Sequence, residues 1–127
     1  MFADLTSVTQ GSLGLTAAIY NLSKLGYVVS IPLIDNQNYD LIIDKEGILY
    51  KVEVKTSRTK AASGNYVVQI KSVRSNKTDN NIKNFDSSAI DYLFILLDNE
   101  SMYFIPSKEV KSKTTLTLSE KHNIYKL

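Results

Sequence analysis

Residues 39–56 read YDLIIDKEGILYKVEVKT, and this stretch decides how the chain folds. Residues 39–44 and 48–56 are rich in β-branched and aromatic side chains, and Glu46-Gly47 between them is typical of a tight turn. The stretch therefore predicts a β-hairpin. A two-residue or a four-residue loop places Asp40 directly opposite Glu53, whereas a three-residue loop breaks that register.

The register of this hairpin brings two carboxylates together. Side chains alternate along a strand, so the apolar even-numbered residues 48–54 point to a core, while Glu53 and Lys55 point to the other face. Like charges directly opposite each other are destabilising, and a divalent cation between Asp40 and Glu53 would remove the repulsion. The pattern predicts a magnesium site formed by Asp40, Glu53 and the Val54 carbonyl, with Lys55 beside it.

Two carboxylates, a lysine and a hard metal ion suit the hydrolysis of phosphodiester bonds. The metal ion lowers the pKa of a bound water, and Lys55 can orient that water or stabilise the charge that develops. The candidate catalytic residues are therefore Asp40, Glu53 and Lys55. The alternative is that the two acids only form ion pairs with Lys51 and Lys55 on an exposed sheet face.

Composition limits the other kinds of chemistry. Cysteine is absent and His122 is the single histidine, which excludes thiolate catalysis and zinc sites built from cysteines or several histidines. We expect His122 to lie on the surface in a C-terminal tail. No apolar run approaches the ~20 residues that span a bilayer, and the N-terminus lacks the basic and apolar regions of a signal peptide. We therefore expect a cytoplasmic protein that contacts no membrane.

The remaining elements predict one α+β domain over residues 1–127, a mixed β-sheet flanked by helices in the order α-β-β-β-β-α-β-β. The first helix covers residues 9–25, is capped by Thr9 or Ser12, and stops at Gly26. Residues 92–97 are continuously apolar, which predicts a central strand covered on both faces. The other expected elements are strands at 27–31, 66–72, 102–105 and 115–118, a loop or irregular helix start at 74–84, a short helix within 82–90 and a helical turn at 107–110.

Positive charge is concentrated in the middle of the chain. The formal net charge is only +2, yet between Lys51 and Lys83 eight basic residues face two acids, Glu53 and Asp79. Such clustering is typical of a surface that meets phosphates, although a solvated face is the simpler reading of charge alone. Because Gln69 and Lys71 alternate with Val68 and Ile70, we expect them on the same face as Glu53. The predicted DNA contacts are Arg58, Lys60, Gln69, Lys71, Arg74 and Lys77.

The motif residues resemble those of the PD-(D/E)xK nuclease superfamily, whose pattern is an acid on one strand and acid-x-Lys on the next. Here these are Tyr39-Asp40, with tyrosine in the place of the motif's proline, and Glu53-Val54-Lys55. The chain is most similar to the small endonucleases of this superfamily encoded in group I introns. The segments that carry this similarity are Gly11-Ser12-Leu13-Gly14, Leu25-Gly26-Tyr27, Ile31-Pro32, Asp35-Asn36, residues 50–56 and Ile90-Asp91-Tyr92.

The resemblance implies a restriction-endonuclease-like fold and a DNA endonuclease that uses Mg²⁺, with Mn²⁺ as a substitute. It implies that Asp40 and Glu53 bind the metal ion and that Lys55 assists the nucleophile. These enzymes commonly carry a glutamate on the first helix, but that position here is Leu15, and no acid occurs between Asp4 and Asp35.

Three functions remain open from the sequence. The first is a homing or restriction-type endonuclease that cuts a linear site. The second is a Holliday-junction resolvase of the same fold, and the third is a DNA-binding protein whose catalysis is weakened by the missing helix acid. A monomer this small covers few base pairs, so we expect a homodimer or homotetramer acting on DNA, without a small-molecule substrate.

Overall fold

The computed structural model describes the backbone of residues 1–34, 37–75 and 80–127, and the side chains of these residues except 73–75, 80 and 81. Within these residues it contains one α-helix, nine strands and two short 3₁₀ helices. In chain order they are α1 (Ser7–Lys24), β1 (Val28–Ser30), β2 (Leu41–Lys45), β3 (Ile48–Ser57), β4 (Val67–Gln69), β5 (Ser72–Ser75), β6 (Asn80–Lys83), β7 (Tyr92–Leu97), β8 (Met102–Pro106), the 3₁₀ helix Ser107–Glu109, β9 (Thr115–Thr117) and the 3₁₀ helix Glu120–Tyr125.

The predicted hairpin is confirmed as the antiparallel pair β2–β3. Lys45 pairs with Ile48 and Leu41 with Val52, so the connection is the two-residue loop Glu46-Gly47. Both loop residues have positive φ, 57° at Glu46 and 85° at Gly47, as the tight turns of twisted hairpins require. The ladder follows the expected register from Lys45–Ile48 to Leu41–Val52, and Asp40 lies just before its outermost pair.

A five-stranded mixed sheet, ordered β1-β2-β3-β7-β8, forms the centre of the molecule. β3 and β7 run parallel, and the other neighbours are antiparallel. β7 is buried from Leu93 to Leu97. The predicted central strand covered on both faces is therefore confirmed, and so is the mixed α+β fold class.

Helix α1 covers one face of this sheet. Its buried residues Ala18 and Leu22 pack with Leu41 and Val52 of the hairpin. The helix starts earlier than predicted, because the Thr6 side chain, rather than that of Thr9 or Ser12, caps it by accepting the Thr9 N–H at 3.2 Å. Its predicted end is confirmed by the left-handed residue just beyond it, Gly26 with φ of 97°.

The opposite face of the sheet is covered by a second layer that includes β4 and β9. These two strands were expected to belong to the main sheet. β4 pairs with β9 in a separate two-stranded sheet, so the prediction of one mixed sheet holding every strand was wrong. Val68 and Leu116 from this pair are buried with Leu93 and Ile95 of β7. The apolar strand β7 needs cover on both faces, and β4–β9 supplies the second cover.

Residues 74–90 also differ from the prediction. β5 and β6 pair as a hairpin where a loop or irregular helix start was expected, and the short helix predicted within residues 82–90 is absent from the part of the chain described there. Asp86 Oδ1 accepts hydrogen bonds from Ser88 N at 2.9 Å and Ser88 Oγ at 2.6 Å. Such a local side-chain turn competes with helix formation. The helical turn after Pro106 is confirmed.

The C-terminal segment is packed against the sheet. His122, expected on the surface, is only 4% exposed, so that prediction was wrong. Its Nδ1 accepts the Ser119 N–H at 3.0 Å, and Leu127 N donates to Met102 O at 2.9 Å. Burial lowers the pKa of His122, with a further lowering from the nearby Lys121 ammonium. Among the described residues, no helix is long and apolar enough to cross a membrane.

Candidate active site

Asp40 lies immediately before β2 and is held by the backbone of β3. Its N–H donates to Val52 O at 2.9 Å, and its Oδ2 accepts the Val54 N–H at 2.7 Å. β2 begins at Leu41, so the side chain of Asp40 takes the place of a strand partner for the Val54 N–H. The Asp40 carboxylate is therefore aimed at the Glu53-Val54-Lys55 segment.

Glu53 and Lys55 form an ion pair at the centre of this segment. Lys55 Nζ lies 3.2 Å from Glu53 Oε1, and the two side chains are 20% and 9% exposed. Both residues pair with buried strand β7, Glu53 with Leu93 and Lys55 with Ile95. The face that carries them was expected to be free of core, but it borders the second hydrophobic layer, and this explains why the pair is so little exposed.

The surroundings of Glu53 raise the pKa of its carboxyl group. Burial is the largest cause, and the Asp40 carboxylate raises the pKa further. The Lys55 ammonium and a hydrogen bond with the Ser72 side chain oppose this shift. The Asp40 carboxylate thus lies near enough to Glu53 to influence the charge of the Glu53 side chain.

A pocket opens beside Glu53, and part of its wall comes from the β5–β6 hairpin. Ser72 and Lys83 are directly paired at the base of that hairpin. The lining residues are Asn38, Glu53, Ile70, Ser72, Lys83, Asn84, Phe85, Asp86 and Ile90. Sequence reasoning missed Asn38, Ser72 and Lys83 as neighbours of Glu53. Ser72 and Lys83 line the pocket because they pair in a hairpin whose second strand was expected to be a loop or an irregular helix start.

The donor set fits a hard divalent cation. Asp40 and Glu53 supply carboxylates, and the Val54 carbonyl lies on the same strand edge as the Val54 N–H that Asp40 accepts. A carboxylate has about four lone-pair sites, so accepting an N–H does not prevent it from binding a cation. Among the described residues no group of three or more His, Cys, Asp or Glu gathers. A cation here would be held by two carboxylates, a carbonyl and water, as Mg²⁺ commonly is.

The family model for PD-(D/E)XK endonucleases matches residues 6–126. The chain belongs to the PD-(D/E)XK endonuclease family. Protein 5.3 of Escherichia phage T7 is 27% identical over 108 residues, which cover 85% of this chain and 86% of that protein. The bacterial homing endonuclease I-Ssp6803I is 31% identical, with a TM-score of 0.76 over 91% of this chain and 79% of that chain.

This PD-(D/E)XK chain departs from the expected family pattern on its first helix. Leu15 is half-buried and packs against the apolar cluster beneath α1. The residues of α1 include no acid, and the helix approaches β3 at Val54 and Thr56, whose side chains point away from Glu53. Gln10 Nε2 donates to Thr56 Oγ1 at 2.7 Å. The helix therefore supplies a polar amide near the end of β3, but no carboxylate.

The predicted DNA contacts just after β3 are partly engaged within the protein. One guanidinium nitrogen of Arg58 donates to Phe2 O at 2.9 Å, which ties the N-terminal segment to β3. Lys60 is exposed, and its Nζ lies 5.0 Å from the centre of the Tyr66 ring. Both side chains border the end of β3 rather than the Glu53 pocket.

The remaining predicted contacts have different placements. Gln69 is exposed but lines a groove with Gln10 and Arg58, whereas Ile70 and Ser72 line the Glu53 pocket. The expectation that Gln69 shares the face of Glu53 was wrong, because β4 turns its even-numbered residues toward the sheet. Lys71 is half-buried. The side chain of Arg74 and all of Lys77 lie outside the described residues.

Proposed function

We propose that this chain is a magnesium-dependent DNA endonuclease whose catalytic residues are Asp40, Glu53 and Lys55. The observation that carries the proposal is the 3.2 Å contact between Lys55 Nζ and Glu53 Oε1 beside an Asp40 carboxylate fixed by the Val54 N–H. A lysine and two carboxylates at the same end of the β2–β3 hairpin are the groups that phosphodiester hydrolysis needs. Membership in the PD-(D/E)XK endonuclease family supports DNA as the substrate class.

In this proposal, hydrolysis joins a water oxygen to phosphorus and breaks the bond between phosphorus and one sugar oxygen. Asp40, Glu53 and the Val54 carbonyl would hold the metal ion, with Mn²⁺ able to replace Mg²⁺. A bound divalent ion lowers the pKa of the attacking water and offsets charge at phosphorus. The Lys55 ammonium orients that water or binds a phosphate oxygen, and Glu53 keeps this ammonium in place.

Within this function we favour a homing or restriction-type enzyme that acts as a homodimer or homotetramer. The likeness to a bacterial homing endonuclease over 91% of this chain supports that type. A catalytically weakened DNA-binding protein is the second candidate, and the observation that favours it is the lack of an acid in α1. A Holliday-junction resolvase of the same fold differs from both candidates in its substrate, which is a four-way DNA junction.

A nicking assay on supercoiled plasmid tests the proposed enzyme. We expect Lys55→Ala to lower the cleavage rate in Mg²⁺ by about 100- to 1000-fold, a magnitude typical of losing one group that stabilises developing charge. Lys51→Ala is the matched control, because Lys51 is on the same strand and face, is exposed, and lies over the Tyr39 ring at 5.2 Å. We expect that variant to cut at close to the wild-type rate.

Parallel reactions with a linear duplex and a four-way junction identify the type of enzyme. Cleavage of a linear site supports the homing or restriction type, and selective cleavage of the junction supports a resolvase. Intact plasmid, duplex and junction in Mg²⁺ and in Mn²⁺, together with tight DNA binding, would show that the chain is a binding protein and that the enzymatic proposal is wrong.

A further inference from the structure

A segment near the C-terminus, residues 111–114, forms part of the surroundings of the Glu53 pocket. Phe85 N donates to Lys113 O at 2.9 Å, and Ile70 N donates to Thr114 O at 2.9 Å. Phe85 and Ile70 both line the pocket beside Glu53. These backbone hydrogen bonds fix residues 113 and 114 directly behind the pocket wall, although both residues are far from Glu53 in the sequence.

A second groove adjoins this pocket along the same wall. Asn84, Phe85 and Asp86 line both, and the second groove continues to Lys111 and Lys113. Both lysines are exposed, as is Lys83 in the first pocket. A path of exposed ammonium groups thus leads away from the candidate catalytic carboxylate.

The charges along this path favour an anionic partner. Asp86 is the acid in the lining of the second groove, and its Oδ1 is occupied by the Ser88 N–H and hydroxyl. Hydrogen bonds from Ser88 are the main cause that lowers the pKa of Asp86, so this carboxylate stays charged. The lysines Lys83, Lys111 and Lys113 outnumber it along the path. Lys111 Nζ donates to Lys108 O at 3.0 Å, which fixes its ammonium at the groove without neutralising it.

We propose that this groove carries the backbone of duplex DNA away from the scissile phosphate, with Lys111 and Lys113 contacting successive phosphates. The inference rests on the proposed function, since it takes the phosphate at Glu53 as its starting point. Phosphate contacts by lysines position a duplex without reading its sequence, and each contact releases counterions. The two lysines lie outside the basic middle of the chain, so charge clustering in the sequence does not reveal them.

The salt dependence of DNA binding tests this proposal. A labelled random-sequence duplex is titrated with protein in EDTA, which prevents cleavage, at salt concentrations from about 50 to about 200 mM. We expect the slope of log affinity against log salt to fall in magnitude by about 0.9 for each phosphate contact removed in the Lys111→Gln, Lys113→Gln double variant. The control is Lys24→Gln, Lys45→Gln, which removes the same charge from exposed lysines at the ends of α1 and β2.

The outcomes separate this inference from the proposed function. A wild-type slope in the groove variant, or an equal drop in the control variant, overturns the inference and leaves the nuclease proposal standing. If the wild-type protein shows no salt-dependent binding and cuts no DNA, both fall. The inference is supported if the slope becomes smaller in the groove variant alone and circular dichroism shows that this variant keeps the wild-type fold.

Discussion

At the scale of single residues, Asp40 combines two tasks in one carboxylate. Its Oδ2 accepts the Val54 N–H at 2.7 Å, which continues the backbone ladder just before β2 begins. The same group is placed beside Glu53, whose pKa it helps to raise. Binding the backbone fixes the direction of the carboxylate, and the proposed role of Asp40 as a metal ligand requires such preorganisation.

Substitutions of Asp40 can separate these two tasks. Asn has a side-chain oxygen that can still accept the Val54 N–H, whereas Ala has none. We expect Asp40→Asn to lose cleavage with an almost unchanged free energy of unfolding, and Asp40→Ala to lose cleavage and about 1 kcal/mol of stability. Plasmid nicking and urea denaturation measure the two effects. Equal stability losses in the two variants would contradict the backbone role.

The placement of Asp40 near the Glu53-Val54-Lys55 segment could be predicted because a local two-residue turn sets the register of the hairpin. Once Lys45 pairs with Ile48, every later pair in the hairpin is set. Ser72 and Lys83 could not be found in the same way. They reach Glu53 through a hairpin whose polar strands lack the alternation that marks a half-buried strand. Their position near Glu53 depends on the tertiary structure, and no local pattern in the sequence indicates it.

At the scale of elements, the approach of α1 to β3 depends on a glycine. A Cβ added at Gly14 would overlap Thr56 Cγ2 and lie 3.5 Å from Val54 Cγ1. Gly14 is buried in the helix, so the absence of a side chain lets the helix lie close to the strand that carries Glu53 and Lys55. Packing of the helix and positioning of the candidate site are thus linked through one small residue.

Two glycines of the same helix give opposite predictions. We expect Gly14→Ala to destabilise the fold by about 1–3 kcal/mol, the usual cost of overpacking, and to slow cleavage by displacing β3. Gly11 has nothing within 4 Å of an added Cβ, so we expect Gly11→Ala to stabilise the helix by roughly 0.5–1 kcal/mol. Thermal unfolding of both variants measures the difference. Equal stabilisation by the two alanines would show that the close approach is not needed.

Elements with a strong repeating pattern were predictable, and those without one were not. The stripe in α1, the hairpin β2–β3 and the apolar run of β7 each bury a continuous surface, and each was expected near its observed position. The sequence of residues 80–90 has no such repeating apolar pattern. Their structure is decided instead by a polar hairpin and by the local turn around Asp86.

At the scale of the whole molecule, two hydrophobic layers pack against opposite faces of β7. One lies under α1, and the other is completed by β4, β9 and residues near the C-terminus. The sequence predicted two-sided cover of β7, but not which segments provide the second cover, because β4 and β9 are short and lie far apart in the chain. The position of Glu53 at the edge of this second layer follows from that packing.

The buried side chain of His122, in the C-terminal segment, makes the stability of the fold depend on pH. Burial lowers the pKa of His122 in the folded protein, so the unfolded chain binds a proton first as the pH falls through about 6.5. The stabilising contribution is therefore complete above that pH and is lost as the pH falls through the lowered folded pKa. Protonation would also remove the Nδ1 acceptor of the Ser119 N–H.

We expect the unfolding midpoint to drop between about pH 8 and about pH 5 in the wild-type protein, and to drop less in His122→Asn, which cannot titrate. Equal drops in both proteins would show that His122 does not couple proton binding to folding.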